Sequence, residues 1–287
     1  MEELEMFVYS MTQWIVGDEP IETGLKRLKN CGYDGIEFAA EPYSLNQDVL
    51  VELLEKYGLI CTSLCGIFSE RRDLTAEDPE IVKETILYLK DSVDFAVKVG
   101  ASHIIVVPSP VGRTSLPEGR TYESVWNCAV NNLREAADYA EEKGIRFAVE
   151  AINRFETYFI NTLTKAISFV KEVNHPAVHI MADLFHMNME ENSIAASLHM
   201  VSDYLIHVHI ADNTREAAGL GTIDFKEVVY TLRDIGYKGP LTMEFLPRVA
   251  DPYAAMDVSA NRELMDRYAK QSIDHMKYME RCIDWVR

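Results

Sequence analysis

Four side chains that can bind metal ions or move protons occur at similar intervals in the second half of the chain. Each follows a short apolar run and precedes a polar segment: Glu150 in RFAVEA, Asp183 in VHIMAD, His209 in LIHVHI and Glu244 in PLTMEF. They are spaced 26 to 35 residues apart, which is about the length of one strand plus one helix. If the apolar runs are adjacent parallel strands, the four side chains converge at the carboxyl ends of those strands.

Three carboxylates and one imidazole gathered in a buried place would need a compensating charge. Carboxylates brought together repel one another and lose hydration, and a divalent metal ion between them is the simplest compensation. Three oxygen ligands and one imidazole form a fairly hard set, which favours Mn²⁺, with Co²⁺ or Mg²⁺ as alternatives, over a structural zinc site. His207 lies two residues before His209 on the same strand face, and we interpret it as a supporting or core histidine one layer deeper.

The elements that must position these residues follow a repeating pattern: an amphipathic helix, a glycine, a few residues and a short apolar strand. The glycine stands where the end of a helix favours a left-handed residue. Strands separated by helices imply crossover connections and a parallel sheet. The predicted strands lie near 6–10, 35–40, 60–66, 103–109, 146–151, 178–184, 205–211 and 240–246. The predicted helices lie near 21–31, 47–57, 78–99, 121–143, 163–173, 193–202, 225–235 and 259–285.

Eight strand–helix units in a chain of 287 residues predict an α/β fold, a (βα)8 TIM barrel. This fold typically takes about 250 residues. The alternative is an open doubly wound sheet. That fold usually has a glycine-rich phosphate turn after its first strand, and the segment VYSMTQWIVGDEP has none. No linker rich in proline, glycine or serine divides the chain, so we predict one domain over 1–287 with a C-terminal helix near 259–285.

The composition disfavours several classes of partner. Hydrophobic residues make up 48% of the chain, and 28 basic against 46 acidic residues give a net charge of −18. Nucleic-acid binding and attachment to an anionic membrane both depend on basic residues, so neither partner is expected. The 5 cysteines include no CxxC pair, which is typical of reduced thiols in a cytoplasmic protein. The N-terminus lacks the pattern of a signal peptide, and no apolar run approaches the length of a membrane span.

Three segments resemble those of the ketose 3-epimerases, the D-tagatose/D-psicose (allulose) 3-epimerase group of the xylose-isomerase-like barrels. These segments are EAINRFETYFINT (150–162), ADLFHMNMEE (182–191) and HVHIADNTREAAGLGTIDF (207–225). The resemblance is strong over roughly 145–247. It implies metal ligands at the same four positions found above from the strand ends, and substrate contacts at Glu156, His186 and Arg215. Because members of the group are commonly dimers or tetramers, a homodimer or homotetramer is expected.

The implied reaction is inversion of C3 of a free ketose through an enediolate. A metal ion polarises the carbonyl, while Glu150 and Glu244 act as the acid/base pair on opposite faces of C3. His186 and Arg215 supply donors suited to O1 and O2, and Glu156 can accept from a hydroxyl. Trp14, after the first strand, could stack on the sugar or simply pack against apolar neighbours.

Two segments depart from the family pattern and leave alternatives open. The chain reads REAAGLG, with Ala218 where many relatives have proline, and its last strand ends MEFLP. The segment AGLGT (218–222) could also present backbone N–H groups to a phosphate. The identity of the sugar therefore stays open, and a sugar phosphate is included among the candidates. Aldose–ketose isomerisation or polyol dehydration is the alternative reaction. A metal-dependent nuclease, which the net charge disfavours, and a non-catalytic sugar-binding protein are the other readings.

Overall fold

The strands form a closed parallel barrel. The computed structural model describes residues 7–13, 19–246 and 262–284. Each strand pairs in parallel with the strands before and after it, and the first strand pairs with the last. The strands are β1 (Tyr9–Thr12), β2 (Gly35–Ala39), β3 (Ile60–Cys65), β4 (His103–Val106), β5 (Arg146–Glu150), β6 (Val178–Asp183), β7 (Leu205–Ile210) and β8 (Leu241–Met243).

Helices follow the strands along the chain. They are α1 (Ile21–Cys31), α2 (Gln47–Tyr57), α3 (Pro79–Val99), α4 (Tyr122–Glu142), α5 (Leu163–Val173), α6 (Leu184–Glu190), α7 (Ile194–Met200), α8 (Phe225–Asp234) and α9 (Arg262–Asp284). Over the part of the chain that the structure describes, no helix combines the length and apolarity needed to cross a membrane.

The predicted TIM barrel is confirmed, and the open doubly wound sheet is wrong because β1 and β8 close the sheet through parallel pairing.

Three details differ from the sequence prediction. The first strand begins at Tyr9, where its backbone N–H donates to the Asp34 carboxylate (2.8 Å). β8 ends before Glu244, whose N–H nevertheless donates to the carbonyl of Ile210 (3.0 Å). The short helix α6 was not predicted. It forms because Asp183 caps it, accepting from the N–H groups of Phe185 and His186.

Helix ends explain why the repeating pattern was readable. Gly32 and Gly100 follow α1 and α3 with φ values of 85° and 76°, which place them in the left-handed region. In that conformation their N–H groups bond to carbonyls of the last helical turn, and a residue with a Cβ would be strained. Each glycine thus stops a helix and turns the chain toward the next strand.

The barrel interior contains both apolar and polar side chains. Ile105, Ala148 and Met181 on β4, β5 and β6 form their own buried apolar cluster. On β1, β3 and β8 the interior holds hydroxyl groups: Thr62 Oγ1 donates to Ser10 Oγ (3.1 Å), and Ser10 Oγ lies 2.5 Å from Thr242 Oγ1. TIM barrels usually fill this space with branched apolar side chains. The hydroxyl groups on β1, β3 and β8 are therefore polar groups in a place that is usually apolar.

The last helix packs onto the barrel, as the sequence indicated. Met265, Ile273 and Met276 of α9 are buried. Tyr33 Oη, just after α1, donates to the carbonyl of Ala269 (2.7 Å). Tyr9 Oη donates to a carboxylate oxygen of the α9 residue Glu280 (2.8 Å). The first strand and the last helix are therefore joined directly.

Replacing Gly35 with alanine should destabilise the barrel. A Cβ at this position in β2 would lie 2.6 Å from the carbonyl oxygen of Ile60 in β3, so the two paired strands would have to separate. We expect Gly35→Ala to lower the free energy of unfolding by about 1–3 kcal/mol, measured by urea denaturation.

Gly24→Ala is the matched control, because Gly24 lies inside α1 and its added Cβ would meet a side-chain oxygen of Glu19 at 3.3 Å rather than backbone. Alanine is the better helix former, so this variant should stay within about 1 kcal/mol of the wild type or exceed its stability. Equal stability of Gly35→Ala and wild type would contradict the proposed strand contact.

Candidate metal centre and active site

The four strand-end side chains meet inside the mouth of the barrel. Glu150 ends β5, Asp183 ends β6, His209 lies in β7 and Glu244 follows β8. The register pairs Asp183 with His209, which places their side chains at the same level. All four are buried, with at most 6% of any residue exposed. The convergence predicted from the spacing of these residues is therefore present in the structure.

His209 is at the centre of the group. Its Nδ1 lies 3.1 Å from Glu244 Oε2 and 3.8 Å from Asp183 Oδ2. Glu150, Asp183 and His209 each offer one ligand atom, and these atoms lie within 4.8 Å of one another. Separations of this size allow the ligand atoms to surround one ion.

These residues fit a divalent metal ion. Nδ1 of His209 is buried and has no hydrogen-bond partner of acceptable geometry among the described residues. A buried nitrogen left unsatisfied is costly, yet here it faces carboxylate oxygens, which is the arrangement a cation requires. The donor set of carboxylate oxygens and one imidazole suits Mn²⁺, Mg²⁺ or Co²⁺.

The electrostatics of the cluster point the same way. Burial raises the pKa of Glu150 well above its usual range, and the charge of Glu244 adds to this effect. Burial also raises the pKa of Glu244, although His209 opposes it. Burial alone would lower the pKa of His209, but the carboxylates of Glu244 and Glu37 outweigh it and raise the pKa. The two glutamates thus hold protons more firmly than solvated carboxylates do, unless a cation lies beside them.

The residues implied as substrate contacts lie beside this cluster. His186 Nε2 is 3.9 Å from Glu150 Oε1 and 3.8 Å from Asp183 Oδ2. Arg215 Nη2 is 3.3 Å from Glu244 Oε2, and its Nη1 is 3.5 Å from His186 Nε2. Burial lowers the pKa of His186 to about 4, so this side chain is neutral near pH 7.

Asn153 orients two of these side chains and was not singled out as a functional residue from the sequence. Its Nδ2 lies 2.8 Å from His186 Nδ1 and donates to Glu156 Oε1 (2.7 Å). Donation to Nδ1 leaves the proton of the neutral imidazole on Nε2, which points toward Glu150 and Asp183. The sequence feature that could have identified Asn153 is the NRFE segment, in which Asn153 and Glu156 are three residues apart. The segment forms a turn, in which the Glu156 N–H donates to the Asn153 carbonyl (3.0 Å).

A cavity of about 390 Å³ opens in front of the cluster. Glu150, Glu156, His186, Arg215 and Glu244 line its polar end. The other lining residues are mainly apolar and include Ile67, Phe68, Val107, Val111 and Ile152. The cavity is thus large enough for a small ligand, with functional groups at one end.

The loop after β7 does not offer a phosphate site, contrary to the possibility raised by AGLGT. Its backbone N–H groups already bond to the Asp212 side chain: Gly219 and Gly221 donate to Oδ2 (2.9 and 2.8 Å), and Ile223 donates to Oδ1 (3.2 Å). Arg215 lies in this loop with a positive φ of 61°. The Asp212 carboxylate therefore shapes the loop that brings Arg215 to the cavity.

The remaining predicted residues have different outcomes. Trp14 lies outside the described residues. His207 lies behind the cluster, with its Nε2 3.1 Å from Glu37 Oε2, which agrees with its interpretation as a supporting histidine. Glu37 was not predicted, because it lies in the middle of β2 and not at the end of one of the last four strands. The signal was available as a carboxylate in the middle of the apolar strand GIEFA.

Comparison with known proteins places this site in a family. The chain matches the xylose isomerase-like TIM barrel family over residues 25–278. It is 31% identical over 274 residues to a D-psicose 3-epimerase from Ruminiclostridium cellulolyticum, covering 90% of this chain and 92% of the relative. It is 30% identical to a 3-dehydro-D-guloside 4-epimerase from Escherichia coli, covering 83% and 91%.

A solved structure agrees with these relatives. The D-allulose 3-epimerase from Methylomonas sp., in complex with D-allulose, superposes with a TM-score of 0.83 at 28% identity, covering 95% of this chain and 97% of that one. The chain belongs to the xylose isomerase-like TIM barrel family. The relatives named above are epimerases, and the protein is an enzyme of the isomerase class.

Asp212→Asn tests whether this carboxylate shapes the loop. The amide would turn an N–H donor toward N–H groups that now have an acceptor, so the loop should open more often. We expect amide exchange of Gly219 and Gly221 to accelerate by about tenfold or more and kcat/KM to fall by about tenfold, with the far-ultraviolet circular dichroism unchanged. Hydrogen exchange followed by mass spectrometry measures the first effect.

Asp224→Asn is the control. Asp224 caps α8 at the end of the same loop by accepting from the Glu227 N–H (3.0 Å), and asparagine caps helices equally well. It should leave both exchange and kcat/KM near the wild-type values. Wild-type exchange rates in Asp212→Asn would show that the carboxylate does not hold the loop.

Proposed function

We propose that the protein is a metal-dependent epimerase that inverts C3 of a free ketose such as psicose, fructose, tagatose or ribulose. The observation that carries this proposal is that two buried glutamates, Glu150 and Glu244, face one cavity from strands separated by β6 and β7. Inversion at carbon needs one group to remove a proton and a second to return one from another side. The naming of one relative as a D-psicose 3-epimerase supports the same reaction, and the naming of another as a 4-epimerase supports only inversion at a carbon of a sugar.

Glu150, Asp183, His209 and Glu244 would hold the metal ion, with Mn²⁺ the expected one. The bound ion supplies Lewis-acid polarisation of the substrate carbonyl, which makes the neighbouring C–H acidic.

Glu150 and Glu244 then act as the acid/base pair. In one direction an ionised glutamate removes the C3 proton and leaves an enediolate. The other glutamate, holding a proton, delivers it to the opposite face of C3, so configuration inverts and no proton is gained or lost overall. Without the ion, burial raises the pKa of both residues, and the charge of Glu244 adds to this effect at Glu150. A bound cation opposes this rise and favours the ionised form that a general base requires. In the reverse direction the two residues exchange roles.

His186, Arg215 and Glu156 orient the sugar. The neutral His186 carries its proton on Nε2, and Arg215 presents its guanidinium beside it, so both can donate to O1 and O2. Glu156 accepts a hydrogen bond from Asn153. Its remaining lone pairs can accept a hydrogen bond from a sugar hydroxyl group. Trp14 stays a proposed stacking residue.

The cavity favours a free sugar over a sugar phosphate. Its distal wall is apolar, and among the described lining residues Arg215 is the cation, which already lies near Glu244 and Glu156. A phosphate dianion buried against such a wall would lose hydration without gaining charge-assisted hydrogen bonds. A homodimer or homotetramer, a cytoplasmic location and a single domain over 1–287 remain predictions.

A sugar panel tests the reaction. Metal-stripped protein is incubated with and without Mn²⁺ in deuterated water with D-fructose, D-psicose, D-tagatose and L-ribulose. We expect the C3 epimer of at least one ketose to form only with Mn²⁺, with solvent deuterium at C3, because the second glutamate exchanges its proton with solvent before it delivers it to C3. Activity should vanish with chelator and return with added metal.

Three outcomes would replace the proposal. Deuterium at C1 with aldose product indicates an aldose–ketose isomerase, and loss of water indicates a polyol dehydratase. Inversion next to the carbonyl of a 3-keto sugar, with inert 2-ketoses, indicates a 4-epimerase, as the Escherichia coli relative is named. Full activity in the presence of chelator would remove the metal from the mechanism.

Glu150→Gln and Glu244→Gln test the acid/base pair. Each amide keeps the shape of the carboxylate and cannot accept a proton, so kcat for epimerisation should fall by at least about 100-fold at saturating Mn²⁺. The variant that keeps the glutamate facing the C3 proton should still exchange that proton with solvent without inverting the carbon. Mass spectrometry and product chromatography separate exchange from inversion.

Glu190→Gln is the control. Glu190 lies at the end of α6 and pairs with the exposed Arg154 (2.7 Å), outside the cluster. Glutamine can still accept from the backbone N–H of Arg154 through its amide oxygen, so the activity of this variant should stay within about twofold of wild type. Epimerisation at wild-type rates in both Glu150→Gln and Glu244→Gln would remove these residues from the mechanism.

A further inference from the structure

A chain of buried polar side chains runs through the barrel beneath the site, and the proposed reaction does not use it. Glu37 on β2, His207 on β7 and His103 on β4 have 0% exposure. His103 Nε2 lies 2.9 Å from His207 Nδ1, and His103 Nδ1 lies 2.8 Å from Ser102 Oγ. Groups of this polarity are costly to bury, so their presence in the barrel core requires a reason.

Glu37 connects this chain to the metal cluster. Its Oε1 lies 3.0 Å from His209 Nε2, on the opposite side of the imidazole ring from the nitrogen that faces Asp183 and Glu244. An ionised carboxylate only accepts hydrogen bonds, so Nε2 of His209 must carry the proton in this contact. A neutral imidazole protonated on Nε2 has its lone pair on Nδ1, which is the form that can bind a metal ion.

The other carboxylate oxygen fixes the orientation of Glu37. Ser63 Oγ donates to Oε2 (2.6 Å), and His207 Nε2 lies 3.1 Å from the same atom. If Ser102 donates to His103 and His103 to His207, then every imidazole proton along the chain points toward Glu37. This single direction of donation satisfies both nitrogens of His103 and places the proton of His207 on Nε2, which lies 3.1 Å from Glu37 Oε2 without a well-aligned hydrogen bond among the described residues.

We propose that Glu37 is a positioning residue that holds His209 in the tautomer presenting Nδ1 to a divalent cation, with Ser63, His207 and His103 holding Glu37 in place. This inference rests on the metal dependence in the proposed function. A carboxylate behind a metal-binding histidine fixes the tautomer and the ring orientation and raises the basicity of the ligand nitrogen.

The competing reading is a second cation site, because Glu37, His207 and His209 also offer atoms within 4.8 Å of one another. That reading requires both Nε2 atoms to lose the protons that they direct at Glu37. It also requires His209 to bind an ion through each nitrogen at once. Our inference predicts one divalent ion in this part of the barrel, and the competing reading predicts two.

Glu37→Gln tests the inference by metal binding rather than by activity. The full-length metal-stripped protein is titrated with Mn²⁺ by isothermal calorimetry. The amide cannot accept from both histidines, so we expect the dissociation constant for Mn²⁺ to rise about 10–100-fold, with one ion bound by the wild type. An unchanged dissociation constant would overturn the inference, as would two ions per wild-type chain with only the weaker one lost.

Glu280→Gln is the matched control for removing a buried carboxylate. Glu280 is 3% exposed and accepts from Tyr9 Oη (2.8 Å) at the α9 contact. It should lower thermal stability but leave the dissociation constant for Mn²⁺ within about twofold of wild type, since no ligand depends on it. An equal loss of Mn²⁺ affinity in both variants would mean that general destabilisation, and not tautomer control, explains the Glu37 result.

A measurement on the wild type keeps the inference testable if the variant does not fold. In Mg²⁺-loaded protein, two-dimensional ¹H–¹⁵N spectra of the histidine rings should show His209 protonated on Nε2 and unprotonated on Nδ1. Protonation on Nδ1 in the loaded protein would overturn the inference while leaving metal dependence intact. A wild type that binds neither Mn²⁺ nor Mg²⁺ would instead overturn the metal centre of the proposed function.

Discussion

The structure depends on the burial of three carboxylates within a few ångströms of one imidazole. Glu150, Asp183 and Glu244 lose hydration at the barrel mouth and repel one another. Such a group is tolerated only when positive charge and hydrogen-bond donors surround it. His209 and Arg215 supply part of that compensation from within the chain, and the unsatisfied Nδ1 of His209 indicates where a cation completes it.

This requirement reaches deep into the barrel. In the proposed metal centre, His209 must be held on the side of its imidazole ring that faces away from the cation. Glu37 on β2 contacts Nε2 on that side, while Nδ1 faces Asp183 and Glu244. Glu37 in turn needs donors, which explains Ser63 and His207 in a region where barrels usually place branched apolar residues. Burial would raise the pKa of Glu37, but His209 and His207 outweigh it and hold the pKa well below its usual range. The burial of Glu37, Ser63 and His207 in the barrel core therefore has one proposed cause, the orientation of His209.

The sequence predicted what depends on spacing and period. Strands separated by helices fixed the barrel, and strand ends one unit apart located Glu150, Asp183, His209 and Glu244. Other features depend on register and loop conformation, which the pattern does not encode. Glu37 faces the site because β2 and β7 lie across a closed barrel, a contact 172 residues apart in sequence. Helix α6 forms through an Asp183 cap, and the loop with Arg215 folds around Asp212, so AGLGT was misread as open to a phosphate.

The difference between strands and loops also separates the residues proposed for the chemistry from those expected to select the substrate. The proposed acid/base pair and the proposed metal ligands are attached to strands, which packing holds rigidly, so in the proposed reaction they determine what happens at a carbon next to a carbonyl. The apolar wall comes from the segments after β3 and β4, where Gly66 donates to the Ile105 carbonyl (3.1 Å) and a Cβ on Gly66 would lie 2.4 Å from that oxygen. This close approach holds Ile67 and Phe68 at the cavity. Since the wall offers shape rather than hydrogen bonds, it selects substrates by the volume and polarity of the part remote from the reacting carbon.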